Sequence, residues 1–74
     1  MDFWLLSIWD VPTGNWEVVR VLFNAELVET NVCELLTERG NVTSVKVERW
    51  NREADSDEAE FYSVDQYWKD DFLK

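Results

Sequence analysis

The residues of this chain that could do chemistry are carboxylates set among aromatic rings, and they concentrate in its last third. Residues 53–74 carry eight acids and two bases, a net charge of −6, whereas residues 1–52 carry eight acids and five bases, a net of −3. Five rings lie in the acidic segment: Phe61, Tyr62, Tyr67, Trp68 and Phe72. Such a segment can attract a basic protein by its field and hold it by burying rings.

The sequence therefore predicts a partner-binding site in this segment. Its predicted anchors are three rings, Tyr67, Trp68 and Phe72. Its predicted steering charges are five carboxylates, Asp57, Glu58, Asp65, Asp70 and Asp71.

Catalysis is not expected from this composition. The chain has no histidine, the side chain best suited to acid–base work near neutral pH. Its single thiol, Cys33, lies near Glu29 and Glu34 in sequence, and nearby acids disfavour the thiolate that a nucleophile needs. Two glycines are too few for a phosphate-binding loop. We expect a protein that is not an enzyme and uses no cofactor.

A metal site is likewise not expected. One cysteine and no histidine cannot build a zinc site. Asp55, Asp57, Glu58 and Glu60 offer oxygen ligands for a hard cation, but the turn glycine and the ligand spacing of a calcium loop are missing. The sequence predicts a solvated acidic linker here.

The charge balance also limits the classes of partner. Direct binding of nucleic acid needs a basic surface, which a net charge of −9 disfavours. No apolar stretch is long enough to cross a bilayer, so no membrane partner is expected. A lone thiol without a visible signal peptide indicates a reducing compartment, and we predict a cytoplasmic protein.

The elements that would position these residues follow a β-β-α-β order. Apolar alternation predicts strands over 3–10, 16–23 and 42–50, and a helical stripe predicts a helix over 25–39 that ends at Gly40. A right-handed crossover places strand one between the other two, in the sheet order 2-1-3. The helix covers one face, and the opposite face shows four apolar side chains: Trp9, Trp16, Val18 and Trp50.

The remainder is predicted to be a linker and a second helix within one domain. Residues 51–60 are polar and acidic, and Ser63 and Gln66 have the spacing of a capping box. We therefore predict a short helix over 64–73. The predicted organisation is an α+β core at 1–52, followed at 53–74 by an acidic and aromatic linker with a C-terminal helix.

Two functions fit these expectations. The first is non-catalytic binding of a protein with a basic surface, by a small inhibitor or modulator of the kind that phages encode, acting in the host cytoplasm. Its size, compactness and negative charge resemble those of DNA-mimic inhibitors. The partner of such an inhibitor would have a basic groove that binds nucleic acid. The alternative is a structural protein that forms a homo-oligomer through Trp9, Trp16 and Trp50.

Overall fold

The computed structural model describes residues 1–38, 41–53, 55 and 57–72, with every side chain in these ranges except that of Phe72. The chain is a small α+β protein with one antiparallel sheet and one main helix. The elements are β1 (Asp2–Asp10), β2 (Asn15–Leu22), α1 (Val28–Glu38), β3 (Ser44–Arg52), β4 (Ala59–Trp68) and α2 (Lys69–Phe72), with a 3-10 turn at Ala25–Leu27 before α1.

The sheet has four strands in the order β2-β1-β3-β4, and every neighbouring pair is antiparallel. The predicted sheet of three strands is wrong in its number of strands, because β4 joins it, whereas the predicted order of the first three strands is confirmed. β1 is central because it is the most apolar strand, and Leu6, Ser7 and Ile8 at its middle are buried. Central placement gives this strand neighbours on both sides, so all of its backbone groups can be paired.

The predicted C-terminal helix over 64–73 is wrong in its first half, because residues 64–68 lie in β4. Five of the eight residues of 61–68 are aromatic or β-branched and favour a strand: Phe61, Tyr62, Val64, Tyr67 and Trp68. Without β4, the outer backbone groups of β3 would have no ladder partner. Gln66, which the sequence places in a capping box, is instead a strand residue. Its side chain donates a hydrogen bond to Ser44 Oγ on β3 at 2.9 Å. Only Lys69–Phe72 is helical.

The boundaries near the predicted linker also change. β3 continues to Arg52 and β4 begins at Ala59, so the connection is shorter than the predicted 51–60. β4 therefore belongs to the same sheet as the predicted 1–52 core and pairs with β3 along most of its length.

Helix α1 covers one face of the sheet. Its approach begins at Asn24, whose side chain accepts the Glu26 backbone N–H at 2.9 Å, as expected of an N-cap. The predicted end of the helix at Gly40 lies outside the described residues. The core between helix and sheet consists of eight buried apolar residues: Leu6, Ile8, Val32, Leu35, Leu36, Val42, Val45 and Val47.

A polar contact at the rim of this core ties β2 to α1. Arg20 donates from one guanidinium nitrogen to Glu34 Oε2 at 2.7 Å and to Asn31 Oδ1 at 2.6 Å. Simple alternation in the sequence predicts that Arg20 shares a face with Trp16 and Val18, and this is wrong: the register shift at Val19 turns both Val19 and Arg20 to the helix side.

A second rim cluster joins the first strand to the third. Arg49 contacts Asp2 at 2.6 Å, and its guanidinium carbon lies 6.0 Å from the Trp4 ring centroid and 5.8 Å from that of Tyr62. Asn51 donates a second hydrogen bond to Asp2. These contacts, with the Asn51 bond the largest cause, hold the pKa of the Asp2 carboxyl below its ordinary value.

Truncating a core side chain should destabilise the protein strongly. Leu36 is fully buried, and Leu36→Ala should lower the free energy of unfolding in urea by about 2–5 kcal/mol through lost burial and a residual cavity. The control is Leu27→Ala, because Leu27 is 50% exposed and should lose far less. Equal losses in the two variants would contradict the assigned core.

The Asp2 cluster predicts a pH dependence of stability. Since the pKa of Asp2 is lower in the folded than in the unfolded chain, its contribution is complete above about pH 4 and is lost as the pH falls through the folded pKa. Asp2→Asn should therefore be less stable than wild type at pH 7, and the difference should shrink in acid. Urea unfolding at several pH values measures it, and a difference that persists undiminished at about pH 2 contradicts the charged contact.

Candidate functional site: the open face of the sheet

The face of the sheet opposite α1 is rich in apolar side chains, with Ser7, Lys46, Glu48 and Gln66 at its middle. Side chains alternate along a strand, so the burial of Leu6 and Ile8 under α1 places Leu5 and Trp9 on the other side. The strand pairing extends this assignment to all four strands. We call this surface the open face, and its apolar members are Phe3, Leu5, Trp9, Trp16, Val18, Val21, Trp50, Phe61, Val64 and Trp68.

The rings of the open face pair across neighbouring strands. Trp9 and Trp16 face each other across β1 and β2, with centroids 5.4 Å apart and an edge-on angle of 70°. Trp50 and Phe61 pair in the same way across β3 and β4, at 5.3 Å and 75°. Edge-to-face pairs are favourable and restrict ring motion, so the surface presents rings in fixed orientations.

The open face is accessible to a partner. Val18, Val64 and Trp68 are each about half exposed, at 52%, 51% and 52%. No element of the described ranges packs across the open face. The indole N–H of Trp50 is buried and donates to no acceptor among the described residues. An exposed face rich in apolar side chains is typical of a protein interaction site.

Two hollows mark opposite ends of the open face. The larger, of about 640 Å³, has Phe3, Leu5 and Val21 in its wall, with Asp57 at its rim. The smaller, of about 350 Å³, lies between Trp16 and Trp68. Each hollow is large enough to receive an aliphatic or aromatic side chain of a partner.

Charge lies both within the open face and at its ends. Within the face, Lys46 lies with its Nζ 4.9 Å from the centroid of the Trp16 ring, and Glu48 follows two residues later on the same strand. The ends carry exposed acids: Asp57 lies in the turn before β4, and Asp70 lies in α2 after it. Acids at both ends of a ring-rich face favour a partner with basic groups around an apolar patch.

The predicted site residues separate into two groups at the ends of β4. Asp57 and Glu58 precede the strand, while Asp70 and Asp71 follow it, and ten residues of strand span roughly 30 Å. At the second end, Asp71 shares a small hollow with Trp68. The eight predicted residues therefore do not converge on one point.

β4 also divides the predicted residues between the two faces of the sheet. Trp68 lies on the open face opposite Ser44, whereas Asp65 and Tyr67 lie on the helix side. Tyr67 packs against the core, and burial, assisted by the charge of Asp65, raises the pKa of its phenol above 10.0. Tyr67 is thus partly buried on the helix side, away from the open face. The side chain of Phe72 lies outside the described part of the chain.

Several members of the open face were not among the predicted site residues. Phe61 and Val64 belong to it because β4 is a strand, which the helical interpretation of this segment concealed. The spacing of Phe61, Val64 and Trp68 fits a helix, so the signal that could have found the strand is the content of aromatic and β-branched residues over 61–68.

The described residues also bear on metal binding, thiol chemistry and membrane spanning. In the described residues no three cysteine or acidic side chains gather into a site that could hold a metal ion. Cys33 is partly buried on α1. None of the helices in the described ranges is long and apolar enough to span a membrane.

Comparison with protein-family models, with curated proteins and with solved structures finds no match to this chain, so its function must be argued from the open face itself.

Proposed function

We propose that this chain is a non-catalytic docking module that binds a protein carrying a basic surface. The observation that supports the proposal is the open face: ten apolar side chains on one side of a sheet whose other side α1 already covers. Rings dominate this surface, and Trp and Tyr are the residues that most often supply binding energy at interfaces.

Charge specifies the kind of partner. The chain carries sixteen acids and seven bases, and two of the bases, Arg20 and Arg49, are held by acids of the chain itself. The exposed acids at both ends of the open face then give it a negative surround. A basic partner is drawn to such a surface faster than a neutral one, because charges outside the contact steer the encounter.

Self-association through the same face is the competing use of this surface. It would bury Trp9, Trp16 and Trp50 equally well, but it brings together two chains that each carry a net charge of −9. The charge therefore favours a basic partner over a second copy. Light scattering after size exclusion distinguishes them, since a stable dimer at low salt would contradict the preference.

Mimicry of nucleic acid is the narrower form of the proposal. It requires the partner to use one basic groove for this protein and for a nucleic acid. Adding duplex DNA to the captured complex tests this form, since displacement supports it and simultaneous binding excludes it.

The apolar contact between the open face and a partner is tested by truncating one exposed ring. Immobilised wild-type protein should capture a basic protein from host lysate, and Trp68→Ala should reduce the capture about tenfold or more, as loss of a buried ring does. Leu27→Ala is the matched control, because Leu27 is 50% exposed but lies beside α1. Equal capture by the three baits would contradict docking on the open face.

A further prediction concerns steering. Changing Asp70 and Asp71 to Asn should slow association with the captured protein and leave dissociation nearly unchanged, since rim charges act mainly on the encounter. The matched control changes Glu26 and Glu38 to Gln, which removes the same charge from the helix side. Biolayer interferometry at several salt concentrations measures both rates. An association rate indifferent to salt, or equally slow in both variants, would rule out steering by the α2 acids.

A further inference from the structure

The outer edge of β4 is a row of backbone groups that no described strand pairs. β4 is bonded to β3 on one side, and it ends the sheet on the other. The strand has ten residues and contains neither proline nor glycine. An edge of this composition is a template on which a further strand can form.

The direction of the backbone groups along β4 follows from one hydrogen bond. The Lys69 N–H donates to Thr43 O at 2.9 Å, so residue 69 points toward β3. Alternation then turns the backbone groups of Ser63, Asp65 and Tyr67 toward β3 as well. The groups of the intervening residues point outward, and these residues are Val64, Gln66 and Trp68.

The outward row lies at the margin of the open face. Val64, Gln66 and Trp68 all have their side chains on that face, since they pair with Glu48, Lys46 and Ser44. In an antiparallel ladder, residues directly opposite each other share a face. An added strand would therefore place every second side chain on the open face, and would widen the apolar surface.

The other side chains of an added strand would lie on the helix side, next to Asp65. Asp65 is exposed and borders a hollow lined by Trp4, Val47 and Arg49. A cationic side chain opposite Asp65 gains an ion pair, and an anionic one meets a like charge. The chemistry of the edge therefore selects an extended segment that alternates apolar and basic residues.

From this geometry we propose that β4 binds an extended segment of the partner as a fifth strand of the sheet, with apolar side chains on the open face and a basic side chain opposite Asp65. The inference rests on the proposed function, which it deepens by naming the form of the partner. A second copy of this chain is the less favourable occupant, because its own β4 segment is acidic.

The opposite edge of the sheet fits this occupant less well. β2 carries one acid and one base, Glu17 and Arg20, so the charges on the strand balance. β2 thus offers an added basic segment no excess of negative charge, in contrast to the β4 side, where Glu60 and Asp65 lie on the strand.

The test uses the full chain and a defined probe, a capped seven-residue peptide that alternates valine and lysine. Amide hydrogen exchange is followed by NMR. At a peptide concentration of about ten times its Kd, exchange at Val64, Gln66 and Trp68 should slow about tenfold by mass action. The amides of Ser63, Asp65 and Tyr67, already bonded to β3, should not change. The matched peptide with glutamate in place of lysine should bind at least tenfold more weakly.

A backbone variant separates strand addition from side-chain contact. Val64→Pro removes an outward N–H and leaves the ladder to β3 intact, so it should weaken binding of the valine–lysine peptide about tenfold. Val64→Thr keeps the N–H and the shape of the side chain and serves as the control. Unchanged protection of the Ser63, Asp65 and Tyr67 amides shows that the proline variant is folded.

The outcomes distinguish this inference from the function beneath it. Capture that depends on Trp68 without protection of Val64, Gln66 and Trp68 amides leaves the docking module and overturns the added strand. Equal binding of the two peptides also overturns it. Protection of the same three amides in the free protein, together with a dimer mass, assigns the edge to a second copy and overturns it as well.

Discussion

The whole structure depends on one constraint: a single helix of eleven residues must close a core against a sheet of four strands. α1 is long enough to cover one face, and the chain has no other helix of comparable length in its described ranges. The core is accordingly one-sided, with Val32, Leu35 and Leu36 packed on the centre of the sheet. Every apolar side chain that alternates to the opposite face remains in contact with solvent. The exposure of the open face is thus a direct result of how many layers the chain can build.

The same constraint explains how charge is distributed around the rings. Residues of a strand alternate between the two faces except at a bulge, so the rings of the open face lie in rows near its ends. Lys46 and Glu48 lie within the face, and the turn before β4 and α2 after it hold further carboxylates. The open face therefore combines rings with charged groups both inside it and at its ends.

Much of the fold could be predicted from local pattern, and one part could not. The local signal is strong in the alternation around Leu6 and Ile8, in the N-cap at Asn24 and in the apolar stripe of α1. The order of the first three strands followed from these elements and from the right-handed crossover between strands two and three. The prediction for the β4 segment was wrong because the pattern that suggests a helix is local in sequence, whereas the pairing that makes it a strand is not. Ser63 and Gln66 fit a capping box by spacing alone, whereas the edge of β3 that stabilises the strand is distant in sequence. The wrong element also explains why the predicted site residues do not lie together. In a helix, Asp65, Trp68 and Phe72 would share one side, whereas the strand places Asp65 and Trp68 on opposite faces.

The register shifts of the sheet have a consequence for the shape that a partner must have. One extra residue interrupts the pairing in each outer strand, Val19 in β2 and Tyr62 in β4. A bulge bends its strand and increases the local right-handed twist. Both bulges lie in edge strands, so they add twist at the two outer margins of the open face. A rigid flat surface would match a twisted face over only part of its area, so close contact favours an element that twists with the sheet or a segment that adapts as it binds.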